Sequence, residues 1–296
     1  MKPAEQGPTQ RRPTSMRRFV IVLCWGAWAL SACGHAAKPR PYAAPDAETL
    51  MTALRERQDA VRALNLQTKT TSWLGGDRIK ATVLMLVERS GRLRFEAEVS
   101  LKGTVAALTT DGAGGFALLD MERNVFREGP ACPQNVASLV RIPLPPEAIA
   151  AILLGDAPVG PGARVVGLDW DAEVGAERLE MTSPSPDGRS QRLRVLMRKS
   201  SLGFDVLGVE GAAKDAHGRP GWWRVRYEGV TRHEGIAFPE TIRFAEPGAS
   251  FDDGVEIKVR DRRINPDIAA ESFKLSPPPG ALLEHVGCGA PLMTTP

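Results

Sequence analysis

The sequence predicts a mainly β protein built from one antiparallel sheet of roughly 11–12 strands, with an N-terminal helix and a helical insert. Three observations predict it. A dozen short segments rich in apolar residues follow one another after residue 77, turn sequences such as Ser90-Gly91 separate them, and one proline-bounded apolar stretch, 133–155, interrupts them. Strands do not alternate with helices as in parallel sheets. The pattern therefore indicates an antiparallel meander, open or nearly closed as a barrel.

The N-terminal segment predicts a secretory signal peptide over residues 1–32. Arg17 and Arg18 precede a run of 14 uncharged, mostly apolar residues, 19–32. A transmembrane helix needs about 20 such residues. A basic start, a short apolar middle and a small-residue end are typical of a signal peptide. Translation from Met16 would give a more compact signal of the same kind.

The signal ends in LSAC, residues 30–33, which resembles the bacterial lipoprotein signal. This resemblance implies that Cys33 receives a lipid such as palmitate and becomes the first residue of the mature protein. The alternative is an ordinary signal peptide that happens to contain a cysteine. The following segment, GHAAKPRPYAAP, lacks apolar periodicity and predicts that residues 33–45 are a flexible tether. Gly34 in place of an acidic residue favours the outer membrane, by the rule known from enteric bacteria.

The charge of the chain is close to balanced once the signal peptide is set apart. The full chain carries 38 Lys and Arg against 35 Asp and Glu. Residues 1–32 hold five basic side chains and one acidic one, so the mature chain carries 33 basic and 34 acidic side chains. A nucleic-acid-binding domain needs a clustered basic face. We therefore expect no nucleic-acid partner.

Two cysteines remain for an intramolecular disulfide bond. Cys24 leaves with the signal peptide and Cys33 takes the lipid, which leaves Cys132 and Cys288 in a compartment where disulfides persist. Both lie in turn-like sequence, GPACPQN and HVGCGAP, and neither has metal-ligand spacing. The sequence predicts a Cys132–Cys288 bond. The alternative is two unrelated free thiols.

An amphipathic helix is predicted over residues 46–64. Asp46 is a good N-cap, and Glu48 lies in the first turn, where the helix dipole favours a negative charge. Apolar residues recur on one face of the helix. They are Leu50, Leu54, Val61 and Leu64. The helix must pack that face on the sheet.

The first predicted strands are 78–89 and 92–101, joined by a two-residue turn. In the second strand, charged residues alternate with the apolar residues Leu93, Phe95, Ala97 and Val99. One face of the strand is therefore apolar and the other is expected to be solvent-exposed. The insert at 133–155 contains one or two helical turns at 134–140. A second helix follows at 146–154, with a proline near its first position and Gly155 at its end.

The order of these segments resembles the LolA/LolB superfamily of periplasmic lipoprotein carriers and outer-membrane lipoprotein receptors. RLRFEA, LTTDGAGGFALLD and NVFREG are similar to the family's aromatic strand, Asp-Gly turn, apolar strand and polar corner, and INPDIAAESFKLSPPPGA resembles its ending. The resemblance covers about residues 46–285. It implies an open half-barrel, a single domain over residues 46–287 with the helices as a lid, followed by a tail at 288–296. This chain is longer in its second half and carries the predicted disulfide.

Nine apolar residues are expected to line a cavity between the sheet and the lid. Two helices are too few to fill a large concave face tightly, and an acyl chain gains about 0.8 kcal/mol for each buried CH₂ group. The expected lining residues are Leu93, Phe95, Val99, Leu108, Phe116, Leu118, Ile149, Ile152 and Leu153. The alternative is that these residues form a filled core.

Catalysis is not expected. The histidines lie in the tether or in turn-like segments, and the sequence contains no HExxH, GxSxG or Walker motif. Glycine-rich DGAGG joins two strands and opens no helix, so it predicts no phosphate site. No metal or other cofactor is implied.

Two functions are compatible with these observations. The first is an outer-membrane-anchored lipoprotein that binds acyl chains or lipoproteins in a hydrophobic cavity, in lipoprotein or lipid sorting. The second is a non-catalytic structural or assembly lipoprotein with a filled core, which docks an envelope protein partner. A cavity of several hundred Å³ favours the first function, because ligand pockets have that size.

Overall fold

The structure is a computed structural model that describes residues 37–74, 77–99, 102–184, 190–215 and 217–289. The predicted signal peptide, Cys33 and residues 290–296 lie outside the described residues. All of the described helices and strands, and the core between them, lie within residues 37–289. A chain that begins at residue 34 therefore contains the complete described domain.

The described part of the chain folds into one open sheet of fourteen strands and a separate two-stranded hairpin. The strands are β1 (Ala63–Leu74), β2 (Asp77–Glu88), β3 (Arg92–Val99), β4 (Gly103–Asp111), β5 (Gly115–Asp120), β6 (Val125–Pro130), β7 (Arg164–Asp171), β8 (Ala176–Pro184), β9 (Ser190–Ser200), β10 (Gly203–Lys214), β11 (Pro220–Glu228), β12 (Thr231–His233), β13 (Ile236–Phe238), β14 (Thr241–Ala245), β15 (Val255–Ile264) and β16 (Leu282–His285). The mainly β class and the open sheet are confirmed, with more strands than the predicted 11–12.

The strand order across the sheet is β16-β6-β5-β4-β3-β2-β1-β15-β14-β11-β10-β9-β8-β7. All neighbours in it are antiparallel except β16 and β6, which run parallel. The sheet has two rims, each formed by one set of strand ends. The pairings place the β1–β2 and β3–β4 connections on the same rim, here called the β1–β2 rim. The β2–β3 and β7–β8 connections lie on the opposite rim, called the β7–β8 rim.

Strand β1 joins the two halves of the sheet. It pairs with β2 on one side and with β15 on the other, where Leu64 lies opposite Ile264. The sequence does not predict a strand over residues 63–74. Because β1 connects an early strand to a late one, the first and last parts of the chain form one continuous sheet.

Helix α1 (Ala47–Ala60) is shorter than the predicted 46–64. Its N-cap is confirmed, since the Asp46 side chain accepts a hydrogen bond of 2.7 Å from the N–H of Thr49. The helix ends at Ala60 because Val61 adopts an extended conformation, with φ −119° and ψ 103°. Leu64 is buried as predicted, but it belongs to β1.

The insert contains helices α2 (Pro133–Val140) and α3 (Pro146–Leu153), as predicted. Each begins with proline, whose missing N–H costs nothing in the first helical turn. α3 is apolar on nearly all sides and is almost entirely buried, packing against β2 and β3. The insert therefore covers the β2–β4 part of the concave face, while α1 packs on β10.

The residues before α1 lie against the second half of the sheet. The N–H of Lys38 donates to the carbonyl of Ala172, and the indole of Trp170 donates to the carbonyl of Lys38, both at 2.8 Å. Arg40 forms a two-point ion pair with the fully buried Glu177, at 2.9 and 3.0 Å. The described part of the predicted tether, residues 37–45, is thus fixed near the β7–β8 rim.

The C-terminal strand β16 covers the edge of the sheet beside β6. His285 lies opposite Glu128, and the next residue, Val286, donates its N–H to the Glu128 carbonyl at 2.9 Å. Continuing this register brings Cys288 next to Cys132. Both cysteines are free thiols in the structure, so the disulfide bond stays a prediction.

Candidate functional site

An apolar cavity of about 220 Å³ lies between the insert and the concave face of β1–β4. Its apolar side chains are contributed by both layers: Ile79, Ala81, Val83, Met85, Phe95, Ala97, Val99, Val105, Ala106, Leu139, Val140, Ile142, Ile149, Leu153 and Ile257. Three hydroxyl residues and two basic residues complete the lining: Thr70, Ser72, Ser138, Lys80 and Arg141. The cavity can hold an apolar chain, because most of its surface offers no hydrogen-bonding group.

The strand pairings bring the lining residues together. Met85 lies opposite Phe95, and Ala97 lies opposite Ala106, so adjacent strands place side chains on the same face. Alternation along β3 buries Leu93, Phe95 and Ala97 and leaves the residues between them half-buried, as the sequence predicts. The small side chains of the alanine pair leave open the volume that larger residues would fill.

The cavity opens near the β1–β2 rim. Ile79 is 47% exposed and Val99 is 39% exposed, although both lie on the apolar face. Ser72 lies opposite Ile79 in the strand pairing. These three residues form the mouth, where apolar side chains are reachable from solvent.

Four of the nine residues predicted to line a cavity do so: Phe95, Val99, Ile149 and Leu153. The other five are packed into the core: Leu93, Leu108, Phe116, Leu118 and Ile152, each at most 5% exposed. The predicted face of the sheet is therefore shared between a filled region and an open one. The filled region corresponds in part to the alternative of a packed core.

Several cavity residues were not identified from the sequence. Val83 and Met85 lie in the unbroken apolar run VLMLV, residues 83–87, so apolar periodicity does not show which of these residues face the cavity. The segment after α2, with Arg141 and Ile142, gave no periodic signal because it is a connection without regular structure.

A buried polar cluster holds the C-terminal end of α3. Arg57 donates to the carbonyls of Leu154 at 2.8 Å and Gly155 at 3.2 Å, and Tyr227 donates to the carbonyl of Asp156 at 2.7 Å. Arg89 forms an ion pair of 3.1 Å with Asp156, which is fully buried. The cluster satisfies carbonyl groups that a helix end leaves without intrahelical partners.

Burial also sets the protonation of this cluster. It raises the pKa of Asp156, whereas the positive charges of Arg57 and Arg89 act in the opposite direction. Burial and the nearby carboxylate raise the pKa of Tyr227 well above its usual value, so its hydroxyl stays protonated and donates. The end of α3 is therefore attached to α1 and to β11.

A larger groove of about 850 Å³ crosses the solvent-facing side of β8–β11, but its chemistry differs. It is lined by basic and acidic side chains together, and several of them pair with one another. Arg178 pairs with Asp171, and Arg232 pairs with Asp205 at 2.8 Å. Paired charges of both signs do not suit an acyl chain, so the smaller apolar cavity is the candidate site.

Metal binding and membrane spanning find no support in the described residues. No group of three or more His, Cys, Asp or Glu side chains within them could hold a metal ion. None of the described helices is long and apolar enough to cross a bilayer.

Comparison with known proteins shows relatives by fold alone. No family model matches the chain, and no curated protein sequence matches it. A protein of the DUF1329 family from Desulfovibrio piger has a similar structure, with a TM-score of 0.55 and 13% identity over 76% of this chain and 94% of that one.

Two further solved structures are similar over 76% of this chain. A LolA superfamily protein from Nitrosomonas europaea gives a TM-score of 0.51 and 13% identity, with 97% of its chain covered. A domain from Vibrio parahaemolyticus assigned to outer membrane lipoprotein sorting gives a TM-score of 0.53 and 10% identity, with 94% of its chain covered. The chain shares the fold of these proteins, so the LolA/LolB-like fold predicted from the sequence is confirmed.

Proposed function

We propose that this protein is a lipid-anchored lipoprotein of the bacterial envelope that binds an acyl chain in the cavity under the insert, in lipid or lipoprotein sorting. The observation that carries the proposal is the combination of an apolar lining, a solvent-reachable mouth and a covering helix that is attached at its C-terminal end. The LolA-like fold of the similar structures supports the same class of ligand.

The anchor is proposed from the sequence, since Cys33 precedes the described residues. A lipid on Cys33 would hold the protein at a membrane, with the outer membrane favoured by Gly34. One acyl chain binds a membrane only marginally, and two or more hold stably.

A second function is supported by the packing of the remaining concave face. Leu93, Leu108 and Ile152 are fully buried, and the cavity is smaller than the 300–1,000 Å³ of drug-sized ligand pockets. A structural or assembly lipoprotein, which docks an envelope protein and carries no lipid cargo, would have such a core. Binding of acyl chains decides between the two.

The test fills the cavity from within. Ala97→Phe adds an aromatic ring in the open volume, and Ala106→Leu makes a smaller addition from the opposite strand position. We expect both variants to weaken the binding of a fluorescent fatty acid at least ten-fold, while the melting temperature changes by only a few degrees. The binding is measured by titration of a soluble chain that begins at residue 34.

Val166→Phe is the matched control. Val166 lies on edge strand β7 and is 59% exposed, so this variant adds the same ring outside the cavity and should bind the fatty acid like the wild type. Absence of binding by the wild type would reject the acyl-chain function and favour the structural lipoprotein.

A further inference from the structure

We infer that the ligand of this cavity is an amphiphile with an anionic head group, and that Arg141 holds that head group at the cavity wall. The inference rests on the proposed function, in which an acyl chain fills the apolar part. The inference adds the chemical class of the ligand's head group, which is a carboxylate or a phosphate.

The first observation is the sign of the charges around the cavity. Its lining contains two basic residues, Lys80 and Arg141, and no acidic residue, although the mature chain holds nearly equal numbers of each. Alternation along β2 directs the Lys80 side chain to the face opposite Ala81. Arg141 lies in the insert, which covers the concave face, and is therefore the basic lining residue on the cavity side of the sheet. The potential at this wall therefore favours an anion.

The second observation is that the Arg141 guanidinium has no partner among the residues that the structure describes. Arg141 is half-buried, yet no carboxylate lies within 4 Å of it and no acceptor bonds it among the described residues. An arginine carries five N–H donors that match the oxygens of carboxylate and phosphate groups. Other half-buried arginines of the chain do have carboxylate partners, for example Arg40 with Glu177 and Arg243 with Glu256.

The third observation is the backbone at this position. Arg141 is the C-cap of α2 and has a left-handed conformation, with φ 58°. Glycine or asparagine is usual where a helix ends in this conformation. A basic side chain also interacts favourably with the helix dipole there. An arginine whose guanidinium also bonded a carboxylate would keep this interaction with the helix dipole. The dipole therefore does not explain why the Arg141 guanidinium has no partner among the described residues.

The size of the cavity fits one chain with its head outside. Its 220 Å³ accommodates part of a single acyl chain, and the hydroxyl of Ser72 lies at the mouth. Arg141 and Ser72 both line this cavity, so a head group bound in its wall can use the guanidinium and the hydroxyl. A neutral head group would use the hydroxyl alone.

The experiment compares amphiphiles that share one chain and differ in the head group. Dodecanoate, dodecyl phosphate, dodecanol and dodecyltrimethylammonium are titrated calorimetrically, below their micelle concentrations, into the soluble chain that begins at residue 34. We expect at least one of the two anions to bind ten-fold or more tightly than dodecanol, and the cation to bind least. The stronger of the two anions identifies a carboxylate or a phosphate source.

Arg141→Gln separates this role from a structural one. We expect the variant to lose the preference for the anion, with dodecanol binding unchanged within two-fold, because this side chain bonds none of the described residues. Arg123→Gln is the control, since Arg123 is an exposed arginine paired with Asp120 at a distant turn, and it should keep the preference.

The outcomes are distinguishable. Equal binding of dodecanol and both anions by the wild type, tightest binding of the cation, or an equal loss of every probe in Arg141→Gln would overturn the head-group inference and leave the acyl-chain function intact. Binding of none of the four probes would overturn both.

Discussion

Arg57 connects three parts of the fold through one side chain. Besides its bonds to the end of α3, it donates to the carbonyl of Ala237 at 2.6 Å, and its guanidinium lies 5.2 Å from the ring centroid of Phe238. Burial lowers the pKa of Arg57, and the nearby carboxylate of Asp156 opposes that effect. Arg57 is half-buried, and its three carbonyl acceptors replace hydrogen bonds that its guanidinium would otherwise make with water.

Replacing this arginine tests the attachment of α3. Arg57→Met keeps an unbranched, mostly apolar side chain but removes the donor to the carbonyls of buried Leu154 and Gly155 and of half-buried Ala237. Each buried group left unsatisfied costs about 1–3 kcal/mol. Water will reach some of them, so we expect the free energy of unfolding to fall by about 2–4 kcal/mol. Chemical denaturation with urea measures this change.

Arg55→Met provides the comparison within the same helix. Arg55 is exposed and pairs with the exposed Glu48 at 2.8 Å. Surface ion pairs contribute about 0–1 kcal/mol. An equal loss of stability in both variants would show that the bonds of Arg57 to α3 are not what stabilises the fold.

At the scale of residues, the sequence predicts the face of a side chain better than its depth. Phe95 and Leu93 share the alternation of β3, yet one borders the cavity and the other is enclosed by packing. Periodicity reports which side of a strand a residue occupies. Which part of that side is filled depends on where α3 lies, and residues far away in the sequence, such as Tyr227, determine that.

At the scale of elements, the two cysteines lie beside one another as the disulfide prediction requires. The nearby Cys132 thiol raises the pKa of Cys288, so the two side chains are neighbours at this edge of the sheet. In an oxidising compartment we expect the bond to form. It would close a loop of roughly 155 residues, for which the chain-entropy model gives about 4–5 kcal/mol, with lower values common in practice.

Mass spectrometry of the non-reduced protein should show the linked peptides, and reduction or Cys132→Ser should lower the melting temperature. Cys288 follows the end of β16 by three residues. Reduction or Cys132→Ser should therefore also increase hydrogen exchange in residues 282–285. Two alkylatable thiols in the native, unreduced protein would contradict this prediction.

The sequence of strand β1 does not predict a strand. Its sequence, ALNLQTKTTSWL, contains five Thr, Ser and Gln residues among its last eight, and apolar alternation is weak there. Tertiary pairing decides its structure, since β2 and β15 both bind it along its length. The helices of the insert were predictable because local signals, the prolines and Gly155, mark their ends.

At the scale of the whole molecule, the proposed anchor can be tested directly. We expect labelled palmitate to enter the wild-type protein and not Cys33→Ala, which should remain uncleaved at the inner membrane or soluble in the periplasm. Cys24→Ala is the control, because this cysteine is expected to leave with the signal peptide. Absence of label from the wild type would reject the lipoprotein assignment while leaving the cavity proposals open to their own tests.

The fixed N-terminal segment gives an anchored molecule a proximal and a distal end. Three residues lie between Cys33 and Ala37, and the four residue steps of an extended chain span about 14 Å at most. Lys38 and Arg40 are bound near the β7–β8 rim, which would therefore stand closest to the bilayer. The cavity mouth, with Ile79 and Val99, lies on the β1–β2 rim across the strands, and a 12-residue strand such as β2 is about 40 Å long. A ligand would then enter and leave from the aqueous side, toward whatever approaches from across the compartment, and not from the leaflet that holds the anchor.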